Sequence, residues 1–137
     1  MEVLQTIHGH TRWLVVLAVV GVAGYALYGA LTRKAYDALA VRMMTAFSSI
    51  VGLQWALGLL VFVTQFSVSI SSGYRWEHTV TGTLALAIAH AHFSMKRKAN
   101  ADTPNPAFYW RALLIIGLTM ALVFVGVARL PGNRWVG

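Results

Sequence analysis

Residues Trp13 to Leu31 read WLVVLAVVGVAGYALYGAL. The run holds no charged residue, and its length is close to the roughly 20 apolar residues that a helix needs to cross a bilayer. Three more apolar runs follow: Met44 to Phe66 (MTAFSSIVGLQWALGLLVFVTQF), His78 to Phe93 (HTVTGTLALAIAHAHF) and Tyr109 to Ala128 (YWRALLIIGLTMALVFVGVA), the last with Arg111 near its start. The third is the most polar. Upstream of the first, Val3, Leu4 and Ile7 continue an apolar face. Four runs use most of the 137 residues and leave no room for a separate soluble domain. The expectation is an all-α integral membrane protein, a four-helix bundle with its outside against the lipid bilayer. One domain then covers residues 1–137, with spans at about 13–31, 44–66, 78–93 and 109–128. The first span is expected to be retained rather than cleaved, because no Lys or Arg precedes Arg12 and the run outlasts a signal core.

Composition agrees. The chain is 58% hydrophobic and 11% charged, against about 25% charged in soluble domains. Its formal charge of +7 does not point to nucleic acid. The basic residues cluster at the ends of apolar runs, where they act as topology and headgroup signals, and no aromatic and basic residues interleave as a single-strand platform requires. The absence of cysteine excludes disulfides, c-type haem attachment and cysteine-ligated iron–sulfur clusters.

The connections are short. The first carries Arg33, Lys34 and Arg42. The second, FSVSISSGYRWE, reads as a Ser/Gly turn with Arg75 and Glu77. In the third, KRKANADTPNPAF, Pro104 and Pro106 stop any helix. Arg33, Lys34, Arg42, Lys96, Arg97, Lys98 and Arg111 fall on one side, and Arg12, Arg75, Arg129 and Arg134 on the other. The positive-inside rule puts the first group in the cytoplasm. Both termini then face the outer, periplasmic side of a bacterial cytoplasmic (inner) membrane. Trp13, Tyr74, Trp76 and Trp135 would mark the outer interface, and Tyr36, Tyr109 and Trp110 the inner one.

Helix association in lipid depends on small residues that permit close approach. Pairs spaced by four occur on every span: Ala26–Ala30, Gly52–Ala56, Ala85–Ala89 and Gly117–Ala121. They read as packing contacts. The Gln54 amide also needs a partner inside the bundle, because an unsatisfied amide in hydrocarbon costs a few kcal/mol, roughly. A structural hydrogen bond is the simplest reading.

All five histidines lie on the first and third helices: His8, His10, His78, His90 and His92. Ionisable residues inside a membrane are functional candidates. The two helices run in the same direction, so His8, His10 and His78 share the outer edge. A bis-histidine haem takes one imidazole from each of two helices at matching depth. His8 with His78 fits, and His10 with His78 nearly as well. On the third helix His78, Gly82, Ala85, Ala89 and His92 share one face. That small, smooth face suits a flat macrocycle, and it suits a close helix–helix contact equally. The gap from His78 to His92 matches the two-haem helices of cytochrome b. The required partner fourteen residues after His8 is Val22, so a second haem of that kind lacks a ligand. His90 and His92, beside Lys96, Arg97 and Lys98, read as interfacial or quinone-polarising groups. Arg12, one turn after His8, is placed to meet a haem propionate, or else snorkels to lipid phosphate. Glu77 is a candidate to orient a histidine.

The chain resembles the small four-span bacterial membrane proteins often labelled "cytochrome b". Their first helix has a histidine followed four residues later by Arg-Trp, matched here by His8-Gly9-His10-Thr11-Arg12-Trp13. Their second carries Gln before an apolar-Gly segment, matched by Leu53-Gln54-Trp55-Ala56-Leu57-Gly58-Leu59. Their third starts with Glu-His and ends in a Lys-rich turn, matched by Glu77-His78 and Lys96-Arg97-Lys98. The resemblance covers most of the chain. It selects His8 over His10 as partner of His78, and it implies nothing for His10, His90 or His92.

The leading expectation is therefore a b-type haem protein ligated by His8 and His78, with Arg12, Gly82 and His10 around the site and quinone as a further candidate ligand. It would carry electrons, alone or with other membrane subunits of a respiratory or photosynthetic electron-transfer complex, rather than act as an independent enzyme. The competing class is a cofactor-free accessory subunit of such a complex. A copper site of His8, His10 and His78 is a third arrangement. Hydrolysis lacks its residues: the acids are Glu2, Asp37, Glu77 and Asp102, and one alone lies near a histidine cluster.

Overall fold

Apolar runs without internal proline form long helices. In the computed structural model, which describes residues 2–98 and 104–131, there are six: α1 (Glu2–Leu31), α2 (Ala38–Thr64), α3 (Phe66–Ser71), α4 (Gly73–His90), α5 (His92–Lys96) and α6 (Pro106–Ala128). No strand forms among the described residues; Ala35 and Pro104 make one isolated antiparallel bridge. Asp102, Arg134 and Trp135 lie outside the described residues.

Three helices, α1, α2 and α6, are long and apolar enough to cross a membrane. Their large side chains face outward to an extent that water does not favour: Leu17 and Val20 are each 68% exposed. A bilayer covers such a surface, whereas a soluble monomer of this size rarely shows it. Helix α4 falls short of that level. It carries Arg75, Glu77, His78 and His90 within 18 residues.

Helix limits differ from those read in the sequence. Helix α1 starts at Glu2, so it takes in the upstream apolar face of Val3, Leu4 and Ile7. The third run divides at Ala91, so α4 ends at His90 and α5 begins at His92. The supposed Ser/Gly turn FSVSISSGYRWE is helical except at Ser72. Its hydroxyls bond back to the helix: Ser71 donates to Val68 O at 3.0 Å and Ser72 donates to Val68 O at 2.7 Å. Arg75 then fastens the segment, donating to Gln65 Oε1 at 2.6 Å and to Ser69 Oγ at 3.2 Å.

The ends between α1 and α2 are capped. Lys34 N–H donates to Gly29 O at 3.0 Å and Arg33 N–H to Ala30 O at 3.4 Å, a Schellman closure. Arg33 occupies its left-handed position with φ 53°, where glycine is usual and another residue costs about 1 kcal/mol. Asp37 caps α2 by accepting from Ala40 N–H at 2.8 Å, a contact worth about 1 kcal/mol. The same carboxylate pairs with Lys34 at 3.0 Å and accepts from the Tyr25 hydroxyl at 2.8 Å. Partial burial pushes the Asp37 carboxyl up, but the Ala40 N–H, the Tyr25 hydroxyl and the Lys34 ammonium outweigh it and hold it below its ordinary value. Hydrogen bonds to Tyr25 and Asp37 raise Lys34. Burial, with Tyr109 and Asp37 nearby, pushes Tyr36 up to about 12. Pro106 opens α6, where its missing N–H costs nothing.

Helix α1 packs on α2 and α6, and α4 packs on the same two. The long helices thus close a ring, with α1 diagonal to α4. One end of the ring is filled by Met44, Phe47, Ser48, Ala89, His92, Tyr109 and Ala112, all nearly inaccessible. Gly29 makes this close approach feasible, because a Cβ there would collide with the Tyr109 ring. The Tyr109 hydroxyl donates to Ala35 O at 2.8 Å. Of the small-residue pairs, Ala26–Ala30 and Ala85–Ala89 are buried as expected. Gly52 faces Leu86, but Ala56 is exposed. Gly117 and Ala121 are not an internal contact: both are exposed, and nothing lies within 4 Å of a Cβ at Gly117. Spacing defines a helix face but does not say which face turns inward.

Candidate functional site

The other end of the ring is open. A cavity of about 1040 Å³ lies there, bounded by α1, α2, α4, α6 and the α3 segment. Its lining includes His8, His10, Arg12, His78, Gly82 and Ala85, so the side chains singled out in the sequence gather around one space. At the upper end of the usual range for ligand cavities, it has room for a large cofactor.

His8 from α1 and His78 from α4 meet across this space. Their ring centres are 6.1 Å apart and their planes cross at 86°. An imidazole nitrogen binds a first-row metal at about 2.0 Å. Its ring centre lies about 1 Å further back, so two axial imidazoles on one metal stand about 6 Å apart, centre to centre. The separation fits that arrangement.

Each ring has a seat. His78 Nδ1 lies 3.0 Å from Gly126 O on α6. As the N–H donor in that bond, Nδ1 leaves Nε2 as the ring's acceptor, the state of a metal-ligating histidine whose second nitrogen is held by a carbonyl. A Cβ at Gly126 would stand 2.5 Å from Thr81 Oγ1 and 3.4 Å from His78 Nδ1. His8 rests on Gly58 of α2, where a Cβ would be 2.8 Å from His8 Cε1 and 3.4 Å from Nε2. His8 Nδ1 is buried without a hydrogen-bond partner among the described residues.

Polar contacts tie the surrounding helices together. Gln54 donates from Nε2 to His8 O at 2.8 Å, and its Oε1 accepts from the Thr11 hydroxyl. The amide is therefore satisfied structurally. Trp55 Nε1 donates to Thr83 Oγ1 at 3.0 Å, joining α2 to α4. Gly82 faces the Trp55 ring, whose Cδ1 would be 3.8 Å from a Cβ there. The small face serves two purposes: Gly82 and Ala85 of α4 line the cavity, while Ala89 of α4 and His92 of α5 enter the filled end.

Several expectations change. Glu77 does not orient His78; it is ion-paired with Arg129 at 3.7 Å, and Gly126 O holds the imidazole instead. Arg75 borders the cavity, but its guanidinium is committed to Gln65 and Ser69. Arg12 lines the cavity with its guanidinium 5.7 Å from the Trp13 ring centre. His10 is exposed, with Nδ1 2.8 Å from Thr6 O. No group of three or more His, Asp or Glu side chains converges as a metal site among the described residues. His92 is turned into the bundle: it is 1% exposed, with Nδ1 2.9 Å from Ala89 O and Nε2 3.4 Å from Thr45 Oγ1. His90 is exposed beside Phe93, its Nδ1 2.9 Å from Leu86 O.

The roles of Gly58 and Gly126 were not read from the sequence. Gly58 had a signal, since it lies four residues after Gln54 and so on the same helix face. Gly126 had only its position between two valines. No family model, curated protein or solved structure matches the chain.

Proposed function

We propose that this chain is a b-type haem membrane protein that carries electrons within a larger respiratory or photosynthetic complex of a bacterial cytoplasmic membrane. The observation that carries the reading is the His8–His78 pair, 6.1 Å apart beside a cavity of about 1040 Å³. Both histidines would hold the iron, and the bond to Gly126 O leaves His78 Nε2 free to do so. Gly82 and Ala85 give a low wall beside the pair. Arg12 supplies a cation for a propionate. When bound, the group supplies one-electron transfer. The chain's own residues bind it and orient it.

The same proposal has four spans, with both termini on the outer side. Helices α4 and α5 together supply the third span. They cover residues 73–96 with one irregular residue, roughly 35 Å at about 1.5 Å per residue. The threonine hydroxyls of α4 are satisfied within the helix: Thr79, Thr81 and Thr83 donate to the carbonyls of Arg75, Glu77 and Thr79 at 2.8–2.9 Å. That lowers their cost in lipid.

One observation favours a second reading. Contacts from Gln54 to α1, from Trp55 to α4 and from His78 to α6 form a polar clamp across the bundle. A cofactor-free accessory subunit would use the same residues in that way. Reduced-minus-oxidised absorption of the purified protein separates the two. A low-spin six-coordinate haem spectrum is expected, lost in His8→Ala and His78→Ala and kept in His90→Ala. A folded wild-type protein that shows no haem absorption overturns the proposal in favour of the clamp.

A further inference from the structure

A second concavity lies at the filled end of the bundle, away from the histidine pair. It is a groove of about 510 Å³ between the last turn of α1 and the first turn of α6, lined by Ala30, Leu31, Arg33, Pro104, Pro106 and Trp110. Five of these are apolar, and Arg33 is the single charged member. Arg33 is exposed, while its neighbour Lys34 is held by Asp37 and Tyr25.

We propose that this groove binds an anionic phospholipid, with the Arg33 guanidinium paired to the headgroup phosphate. Leu31 and Trp110 flank the glycerol and the first acyl carbons. The proposal rests on α1 and α6 crossing the membrane and not on the haem.

Depth supports the assignment. The groove sits where two apolar helices end, which is the level where hydrocarbon gives way to headgroups. Trp110 is 52% exposed there, as suits an interfacial aromatic. Charge selects the lipid. The chain places Arg33, Lys34, Arg42, the Lys96–Lys98 run and Arg111 at this end, and Asp37 is the one acidic side chain among the described residues there. A basic groove between membrane helices favours an anionic headgroup over a zwitterionic one. The guanidinium fork matches phosphate oxygens in a bidentate way.

The backbone provides a clean test. Arg33 has φ 53° at a position where glycine fits without strain. Arg33→Gly therefore removes the guanidinium while leaving the α1 end sound. Thermal unfolding is measured in neutral detergent with added phosphatidylglycerol or phosphatidylcholine, alongside flotation with vesicles. Phosphatidylglycerol should raise the wild-type Tm by several degrees more than phosphatidylcholine. In Arg33→Gly that difference should fall by at least half, with a baseline Tm equal or higher. An undiminished difference in the variant, or none in the wild type, overturns the site. If inorganic phosphate alone reproduces the full shift, the occupant is a free anion and the lipid assignment fails. A chain that does not float with vesicles refutes the membrane reading itself; one that floats without lipid preference refutes the groove alone.

Discussion

Substituting Gly58 by alanine tests whether the seat of His8 sets the site. The added Cβ would stand 2.8 Å from His8 Cε1, and ordinary carbon contacts begin at about 3.5 Å. The imidazole must retreat by about 0.7 Å, more than the roughly 0.5 Å tolerance of a preorganised site. The clash is with the end of a side chain bordering a cavity, so the ring can swing without moving the backbone. Overpacking costs about 1–3 kcal/mol, and replacing a helical glycine by alanine returns about 1 kcal/mol. The net change in stability should then be small, from about zero to 2 kcal/mol destabilising. On the proposed haem reading, ligation by His8 should suffer much more. Circular dichroism should show an intact helical protein, while the absorption of the proposed haem shifts from six-coordinate low-spin toward five-coordinate high-spin. A Gly58→Ala protein with the full wild-type low-spin spectrum would falsify the idea that the α2 notch positions the ligand.

Three further outcomes are expected. Asp37→Asn keeps a capping oxygen but loses the carboxylate. Because the folded-state value of Asp37 is lowered, its charge contributes stability above the ordinary carboxyl range, and that contribution disappears as pH falls through the lowered value. The Tm gap between wild type and variant should therefore be present at pH 6 and close below pH of about 4; the pair is partly exposed, so the gap corresponds to less than about 1 kcal/mol. Gln54→Leu removes the bonds to Thr11 and His8 O and should cost about 0.6–2 kcal/mol of thermal stability. It should leave any haem absorption in place, and loss of that absorption with unchanged stability would contradict the structural role. A C-terminal tag should be reached by impermeant reagents on intact cells; cytoplasmic protection of that tag would invert the proposed topology.

The helical class and the long apolar spans are legible because a bilayer imposes a length and a composition that one chain displays by itself. The meeting of His8 and His78 is legible for a related reason: parallel helix direction assigns each histidine a depth, and these two share one. Helix faces are another matter. Gly117–Ala121 has the same spacing as Ala26–Ala30 yet points outward, because lipid and protein contacts accept the same small residues. His92 lies within reach of a charged helix end in sequence but is buried inside the bundle, at the start of α5.

The site's supporting parts were the hardest to read, and the reason is physical. A histidine is a residue type with its own chemistry, whereas the groups that seat it here are a missing side chain and a backbone carbonyl. Gly126 does both at once: its lack of a Cβ admits Thr81 and the His78 ring, and its carbonyl oxygen meets Nδ1 at 3.0 Å. Any residue has that carbonyl, so no letter in the sequence announces it. Only the approach of α4 to α6 brings it within reach of the imidazole, and Glu77, the residue whose type advertised the role, is drawn outward to Arg129 instead.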